Sequence, residues 1–461
     1  MARPTDALLP DLIFKAYDVR GLHGEEMDGT TAEAIGNAFV RLLAEREDKP
    51  VTEVSVGLGR DMRLTAPDMA ERFAAGAQSA GAKVLDAGEI ATEVLYFLVG
   101  SRSLDGGAAI TASHNPKAYT GIKLVGRDAL PLSGDSGIQQ VRDLAQSGSV
   151  EASEPGPIES VDVTDEFREA MRSWVDPEKV SPMKVVVDGG NGMAGPTAGP
   201  LLKDLPIELV PLFFEPNGEF PGHEPNPLLP ENRELICETV VEQKADLGMA
   251  WDGDADRCFF VDEEGRFVDG DFLTALLAQT ILERDPGAEV LYDVRASRAV
   301  PDLVEAVGGT ARMSRVGHAF FKALMRETGA VFGGEVSGHY YFRDFYCADS
   351  GTIPALLVCE LLSERGSSMS QILEPLRDRY FISGEINSEV ADPTGKLREI
   401  AEEFTDAEIS TLDGVSVDYP DWHFNLRASN TEPLLRLNLE SLVSPDDMTE
   451  KRDMLLGMIR S

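Results

Sequence analysis

Cysteine is scarce in this chain. Four cysteines in 461 residues (Cys237, Cys258, Cys347 and Cys359) stand far apart, and no two form a C-x-x-C pair. That spacing argues against a disulfide framework or a thiolate zinc site, so buried free thiols in a reducing compartment are expected. Lysine is scarce as well. Twelve lysines accompany thirty arginines, and together they face 80 acidic residues, for a net charge of −38. A field of that sign repels nucleic acid and anionic membrane surfaces, which removes both as expected partners. Long apolar runs are also missing. None approaches the ~20 residues needed to span a bilayer. The opening Met1-Ala2-Arg3-Pro4-Thr5-Asp6 lacks the apolar core of a secretory signal, so the cytoplasm is the expected location.

The acidic residues are spread along the whole chain, with no acidic tail. A lysine-poor acidic surface suits concentrated salt, because ions screen its self-repulsion. A halophilic host is therefore expected, with an acidic mesophilic enzyme as the alternative. Either a monomer or a small homo-oligomer fits this composition.

What the chain does have is an ordinary apolar content of 43% and a layout that repeats three times. Each pass opens with a β-branched strand: Val54-Ser55-Val56, Lys184-Val185-Val186-Val187, and Glu289-Val290-Leu291-Tyr292. A helical stretch and a second short strand follow, at 82–86, 207–210 and 310–313. After more helix comes a third strand ending in a polar loop: Thr-Ala-Ser-His-Asn-Pro at 111–116, Asp-Gly-Asp-Ala-Asp-Arg at 252–257, and Gly-Glu-Val-Ser-Gly-His at 334–339. Strand–helix alternation predicts an α/β fold with largely parallel pairing, and in such sheets ligands lie beyond the carboxyl ends of the strands. We therefore expect three related mixed α/β domains, at 1–155, 156–264 and 265–376. The stretch 377–461 breaks the pattern and reads as a smaller C-terminal α+β domain.

The three loops carry chemistry. Ser113 sits where a strand hands the chain to a turn; it is either a backbone cap or a reachable hydroxyl that carries a group. Asp252, Asp254 and Asp256 alternate, and only Arg257 stands near to neutralise them, so a hard divalent cation is the natural occupant. Glu263 stands at the twelfth position of a calcium loop counted from Asp252, but Arg257 occupies the sixth, where that loop demands glycine. Gly190-x-Gly192-x-x-Gly195 matches a dinucleotide fingerprint on paper, yet Asp188 before it and Pro196 after it favour a tight strand–helix connection. Glu335, Ser337 and His339 could hold sugar hydroxyls. Arg427, Ser429, Asn430 and Thr431 gather a guanidinium, hydroxyls and an amide suited to a phosphate dianion.

Together with Phe14-Lys15-Ala16-Tyr17-Asp18-Val19-Arg20-Gly21, these motifs resemble, in order and over essentially the whole chain, the α-D-phosphohexomutase superfamily in its phosphomannomutase/phosphoglucomutase branch. The resemblance implies four domains around a central cleft, the fourth a mobile phosphate-binding cap. It implies hexose phosphate substrates, Mg²⁺ and a hexose 1,6-bisphosphate intermediate. Ser113 would be the phosphoserine, and Asp252, Asp254, Asp256 and a phosphoserine oxygen would hold the metal. His114, Lys123, Arg20 and Arg257 would line the transfer site. Glu335, Ser337 and His339 would read the sugar, and Arg427, Ser429, Asn430 and Thr431 would clamp the distal phosphate. Two positions depart from the pattern. Ala255 replaces a frequent glycine, which matters only if that position needs a positive φ; Arg295 stands where related enzymes often have a cleft lysine. A phosphoglucosamine mutase, a metal-dependent phosphatase and a non-catalytic sugar-phosphate binding protein are the rival readings.

Dialysis from concentrated salt into low salt is expected to unfold the chain, as followed by circular dichroism. Full retention of structure in low salt contradicts the halophilic reading.

Overall fold

The computed structural model describes residues 9–428 and 434–461. Two compact units emerge: residues 1–267 with 339–366, and residues 268–338 with 367–461. Among the described residues no helix is long and apolar enough to cross a membrane.

The first unit holds two sheets. One has six strands in the spatial order Val19–Leu22, Tyr119–Gly126, Gly106–Ile110, Ser55–Arg60, Lys83–Glu89 and Ile158–Ser160. The first two junctions are antiparallel and the other three parallel. The other sheet runs Cys258–Val261, Leu247–Trp251, Met183–Asp188 and Ile207–Leu212, with only the first junction antiparallel. In the second unit Glu289–Asp293 pairs in parallel with Thr310–Ser314 on one side and Phe332–Gly334 on the other. The repeat foreseen from the sequence is thus present three times: in each pass the first strand lies between the third and the second. Continuous β-branched or small apolar runs such as Val185-Val186-Val187 and Gly106–Ile110 are buried throughout, as strands covered on both faces must be.

The C-terminal part of the second unit is different. Its sheet is antiparallel, in the order Phe381–Ile382, Leu434–Ser441, Trp422–Ala428, Val415–Asp418 and Glu408–Ser410, with Ile386–Glu389 also paired to Leu434–Ser441. Helices Pro393–Glu403 and Pro445–Arg460 cover the core made by Leu426, Leu435, Leu437, Leu455 and Ile459. This is the α+β arrangement expected of that stretch.

The glycine-rich segment 190–195 is a strand–helix connection, not a nucleotide cradle. Gly190 has φ +56°, and a Cβ on Gly192 would lie 2.5 Å from the carbonyl oxygen of Gly253. The Met193 amide donates to that same carbonyl at 2.9 Å, so the connection buttresses the Asp252–Arg257 loop. Within that loop Ala255 has φ +62° and is buried. The condition attached to its replacement of glycine is therefore met: an alanine occupies the left-handed region.

That conformation costs a non-glycine residue roughly 1–2 kcal/mol, while glycine frees the unfolded chain by about 0.5–1 kcal/mol. Ala255→Gly is expected to leave stability unchanged or raise it by up to about 1 kcal/mol. Thermal denaturation checks this, and a clear fall in the midpoint would mean that the alanine methyl packs favourably.

Candidate active site

The strand Gly106–Ile110 delivers Ser113 to the end of the first sheet, and Leu247–Trp251 delivers the aspartate loop to the end of the second. The two ends meet. Ser113 Oγ donates to Asp252 Oδ2 at 2.7 Å and lies 3.1 Å from His114 Nδ1. Its backbone is held in the left-handed region, φ +49°, with its amide donating to Thr111 Oγ1 at 2.8 Å.

Asp252, Asp254 and Asp256 are each at most 1% exposed, and one carboxylate oxygen from each falls within 4.8 Å of the others. Two cations come to them. Lys123, on Tyr119–Gly126, donates to Asp254 Oδ2 at 2.7 Å and to Asp256 Oδ2 at 2.5 Å. Arg257 Nε donates to Asp252 Oδ2 at 2.9 Å, and its Nη2 donates to His114 Nδ1 at 2.5 Å. That acceptor role fixes the neutral tautomer of His114 with its proton on Nε2. Burial, with Arg257 and Arg20 nearby, holds its pKa well below the ordinary histidine value. Burial also works against the charge on Lys123, but the surrounding aspartates more than offset it and raise its pKa.

The aspartates divide the charge unevenly. Burial opposes ionisation of Asp254, yet Lys123 and the Thr92 hydroxyl at 2.7 Å keep it below the usual carboxylate range. Burial pushes Asp252 up against the pull of Arg257, and burial with Asp254 alongside pushes Asp256 well up. Asp254 Oδ1 and Asp256 Oδ1 are buried without a hydrogen-bond donor. Orphaned buried carboxylate oxygens in a hard-oxygen set fit a divalent cation.

Arg20 forms an ion pair with Asp18 and donates to Asn115 Oδ1 at 2.5 Å, which sets it beside the serine loop. His339, in the first unit, has Nε2 3.8 Å from both Asp256 Oδ1 and Asp349 Oδ2, and its ring stacks with Tyr341. It therefore faces Asp256 of the aspartate loop.

In the second unit Asp293 organises a separate cluster. Its carboxylate accepts from Arg295 Nε at 3.0 Å and Nη2 at 2.8 Å, and from the Val336 amide at 3.0 Å. Glu335, 1% exposed, accepts from the Gly317 amide at 2.8 Å and lies 3.9 Å from Arg295. Ser337 follows on the same loop, partly exposed. Arg427 lies on Trp422–Ala428 in the same unit. Ser429, Asn430 and Thr431 lie outside the described residues.

Five residues were not singled out from the sequence: Arg63, Asp61, Thr92, Glu93 and Asp349. Arg63, 2% exposed, donates to the carbonyls of Ser113 and Asn115 at 2.7 Å each and to those of Pro116 and Tyr119 at 3.1 and 3.3 Å. Asp61 pairs with it at 3.2 Å; burial pushes that carboxyl up to about 6 against the pull of Arg63. The signal was present in Arg60-Asp61-Met62-Arg63, which follows the strand Ser55–Arg60 at the same carboxyl edge as the Ser113 loop. Thr92 and Glu93 open the helix Thr92–Ser101. Thr92 binds Asp254 through its amide and hydroxyl, while buried Glu93 accepts from the Ser350 and Thr352 hydroxyls. Asp349 ends the strand Ala348–Asp349, 1% exposed, with Oδ2 3.8 Å from His339 Nε2.

Family models for phosphoglucomutase/phosphomannomutase α/β/α domains I, II and III match residues 11–150, 164–265 and 269–380, and the model of the C-terminal domain matches 385–457. A protein of Xanthomonas campestris described as "Phosphohexose mutases" is 44% identical over 93% of this chain and 94% of its own length. The phosphomannomutase of Escherichia coli K12 is 42% identical with the same coverage. A crystal structure of a phosphoglucomutase/phosphomannomutase family protein from Burkholderia thailandensis superposes with a TM-score of 0.88 at 34% identity, over 97% of this chain and 96% of that one. The chain belongs to the phosphoglucomutase/phosphomannomutase family. It is an enzyme, a phosphohexose mutase.

Removing one partner of a buried ion pair strands the other charge, at a cost of about 3–5 kcal/mol. Arg63→Ala is expected to lower stability on that scale, and Asp61→Asn combined with Arg63→Ala to recover part of it. Denaturation of the three variants checks this. Additive losses in the double variant would show the two side chains to be independent.

Proposed function

We propose that the chain moves a phosphoryl group between the 1- and 6-positions of mannose and glucose phosphates, using Ser113 as the phosphoryl carrier. The carrying observation is the 2.7 Å contact between Ser113 Oγ and Asp252 inside a buried set of three aspartates served by Lys123 and Arg257. A phosphoserine there brings about two negative charges and strong acceptor oxygens. Asp252, Asp254, Asp256 and a phosphoserine oxygen would hold Mg²⁺, which when bound neutralises charge on the transferring group. Lys123, Arg257, Arg20 and the Nε2–H of His114 bind its oxygens and stabilise the charge that spreads over them.

The sugar hydroxyl attacks phosphorus in line with Ser113 Oγ. The new phosphorus–oxygen bond to the sugar forms as the bond to Oγ breaks, and Oγ keeps the electron pair. We assign the hydroxyl's proton to the imidazole of His339, whose Nε2 lies 3.8 Å from Asp256 and from Asp349. The product of this half-reaction is a hexose 1,6-bisphosphate. It turns end over end and returns the other phosphoryl group to Ser113. Arg427, with Ser429, Asn430 and Thr431, grips whichever phosphate is not reacting. Glu335 and Ser337 read sugar hydroxyls, with Arg295 beside them. Excluding water protects the phosphoserine from hydrolysis. A cytoplasmic, salt-adapted enzyme accords with the charge and composition of the chain.

Ser113→Ala is expected to abolish conversion of glucose 1-phosphate and mannose 1-phosphate to the 6-phosphates, followed by ³¹P NMR, while divalent-cation affinity stays within about threefold. Retained conversion would favour an aspartyl-phosphate route through Asp252. Release of inorganic phosphate without isomer exchange by the wild type would favour a phosphatase.

A further inference from the structure

One hydrogen bond ties the C-terminal sheet to the backbone that holds Glu335. Residues 315–317 lead into the helix His318–Thr328, and two carboxylates take successive amides of that segment. The Gly317 amide donates to Glu335 Oε1 at 2.8 Å, and the Val316 amide donates to Asp413 Oδ2 at 2.9 Å. The positive end of the helix favours both acceptors. Glu335 is buried and Asp413 partly exposed.

Asp413 is itself placed by the strand that carries Arg427. It stands in the turn between Glu408–Ser410 and Val415–Asp418, where Gly414 has φ +73°. Asn425, on Trp422–Ala428 and 1% exposed, donates from Nδ2 to the Asp413 carbonyl at 3.0 Å and to Ser416 Oγ at 2.9 Å. Arg427 follows two residues later, on the same face of that strand as Asn425. A connected series therefore runs from the Arg427 strand through Asn425, Asp413 and the amides of Val316 and Gly317 to the Glu335 carboxylate.

We propose that Asp413 is a positioning residue for the sugar: it holds residues 315–317 so that Glu335 stays set against the sugar hydroxyls at a fixed distance from the strand of Arg427. A substrate gripped at one phosphate and read at its ring hydroxyls needs those two contacts at a constant separation, and small displacements of aligned groups cost rate steeply. Asp413 acts through backbone amides. When it is removed, the Val316 amide loses this acceptor, the segment before the helix loosens, and the link between Glu335 and the C-terminal sheet is cut.

This inference rests on the reading of Glu335 as a sugar-binding residue, and the test separates the two. Conversion of glucose 1-phosphate in Mg²⁺ is compared for wild type, Asp413→Ala, Asp413→Asn, Glu335→Gln and the double variant Asp413→Ala with Glu335→Gln. Asp413→Ala is expected to lower kcat/KM by about tenfold. Asp413→Asn, whose side-chain carbonyl can still accept from the Val316 amide, is expected to stay within about twofold of wild type. In the Glu335→Gln background the loss from Asp413→Ala is expected to shrink to about twofold or less, the mark of coupled residues. Wild-type kcat/KM in Asp413→Ala, with Glu335→Gln impaired, overturns this inference and leaves the sugar reading standing. Wild-type kcat/KM in both overturns the sugar reading and this inference with it. Equal losses in Asp413→Asn and Asp413→Ala also overturn it, because they trace the effect to the charge of Asp413 near Arg427 and not to the amide. Fully additive losses in the double variant overturn it as well. If Asp413→Ala does not fold, Asp413→Ser, whose hydroxyl is too short to reach the amide, takes its place and the same outcomes decide.

Discussion

Three carboxylates held within 4.8 Å of one another and away from water can persist only if positive charge is brought to them. Much of the first unit's architecture serves that requirement. Two sheets end where the aspartates lie, one supplying the aspartate loop itself and the other supplying Lys123 from its antiparallel strand. Arg257 comes from the loop's own last position and occupies Asp252 and His114 at once. With two cations against three acids the balance remains short, and Asp254 and Asp256 each keep an oxygen without a donor. That shortfall is where a divalent cation fits.

Around this charged centre the backbone is held by groups that never touch the reacting atoms. Arg63 gathers four carbonyls of the serine loop, including that of Ser113, whose φ lies in a region few serines occupy. A residue in such a conformation persists only where its surroundings over-determine it. On the other side of the site, the glycine connection at 190–195 and Thr92 hold the aspartate loop through Gly253 and Asp254. Pre-organisation of this kind lets charged groups act on a transferring phosphoryl group without rearranging first.

Much of this was legible in the sequence, because the fold repeats. β-branched runs at regular intervals marked the strands, and the polar loops after every third strand marked where a ligand would sit. Ser113, Asp252, Asp254, Asp256 and Lys123 do come together across 130 or more residues of chain, a juxtaposition that rested on family resemblance and not on spacing. Arg63 was hidden because an arginine after a strand looks like any surface charge until its burial is known. His339 shares a short motif with Glu335 and Ser337, yet the chain turns between them, and a motif carries no information about which unit receives its last residue. Ala255 was visible as a departure; only the backbone angle gave it meaning.

The helix that opens with Thr92 and Glu93 has a consequence for how this chain is made. Thr92 grips the aspartate loop, while the next residue is buried with its carboxyl, pushed up to about 7 by burial, bonded to Ser350 and Thr352. Those two hydroxyls leave the ribosome well after the rest of the first unit, following the 71 residues from 268 to 338 that separate its two segments. Thr352 follows Phe267 by 85 residues, and at ~5–20 residues per second that interval is roughly 4–17 s. During it the nascent chain carries a nearly complete aspartate loop and an acid with no partner, so the first unit must wait, partly open, for a late segment to close it.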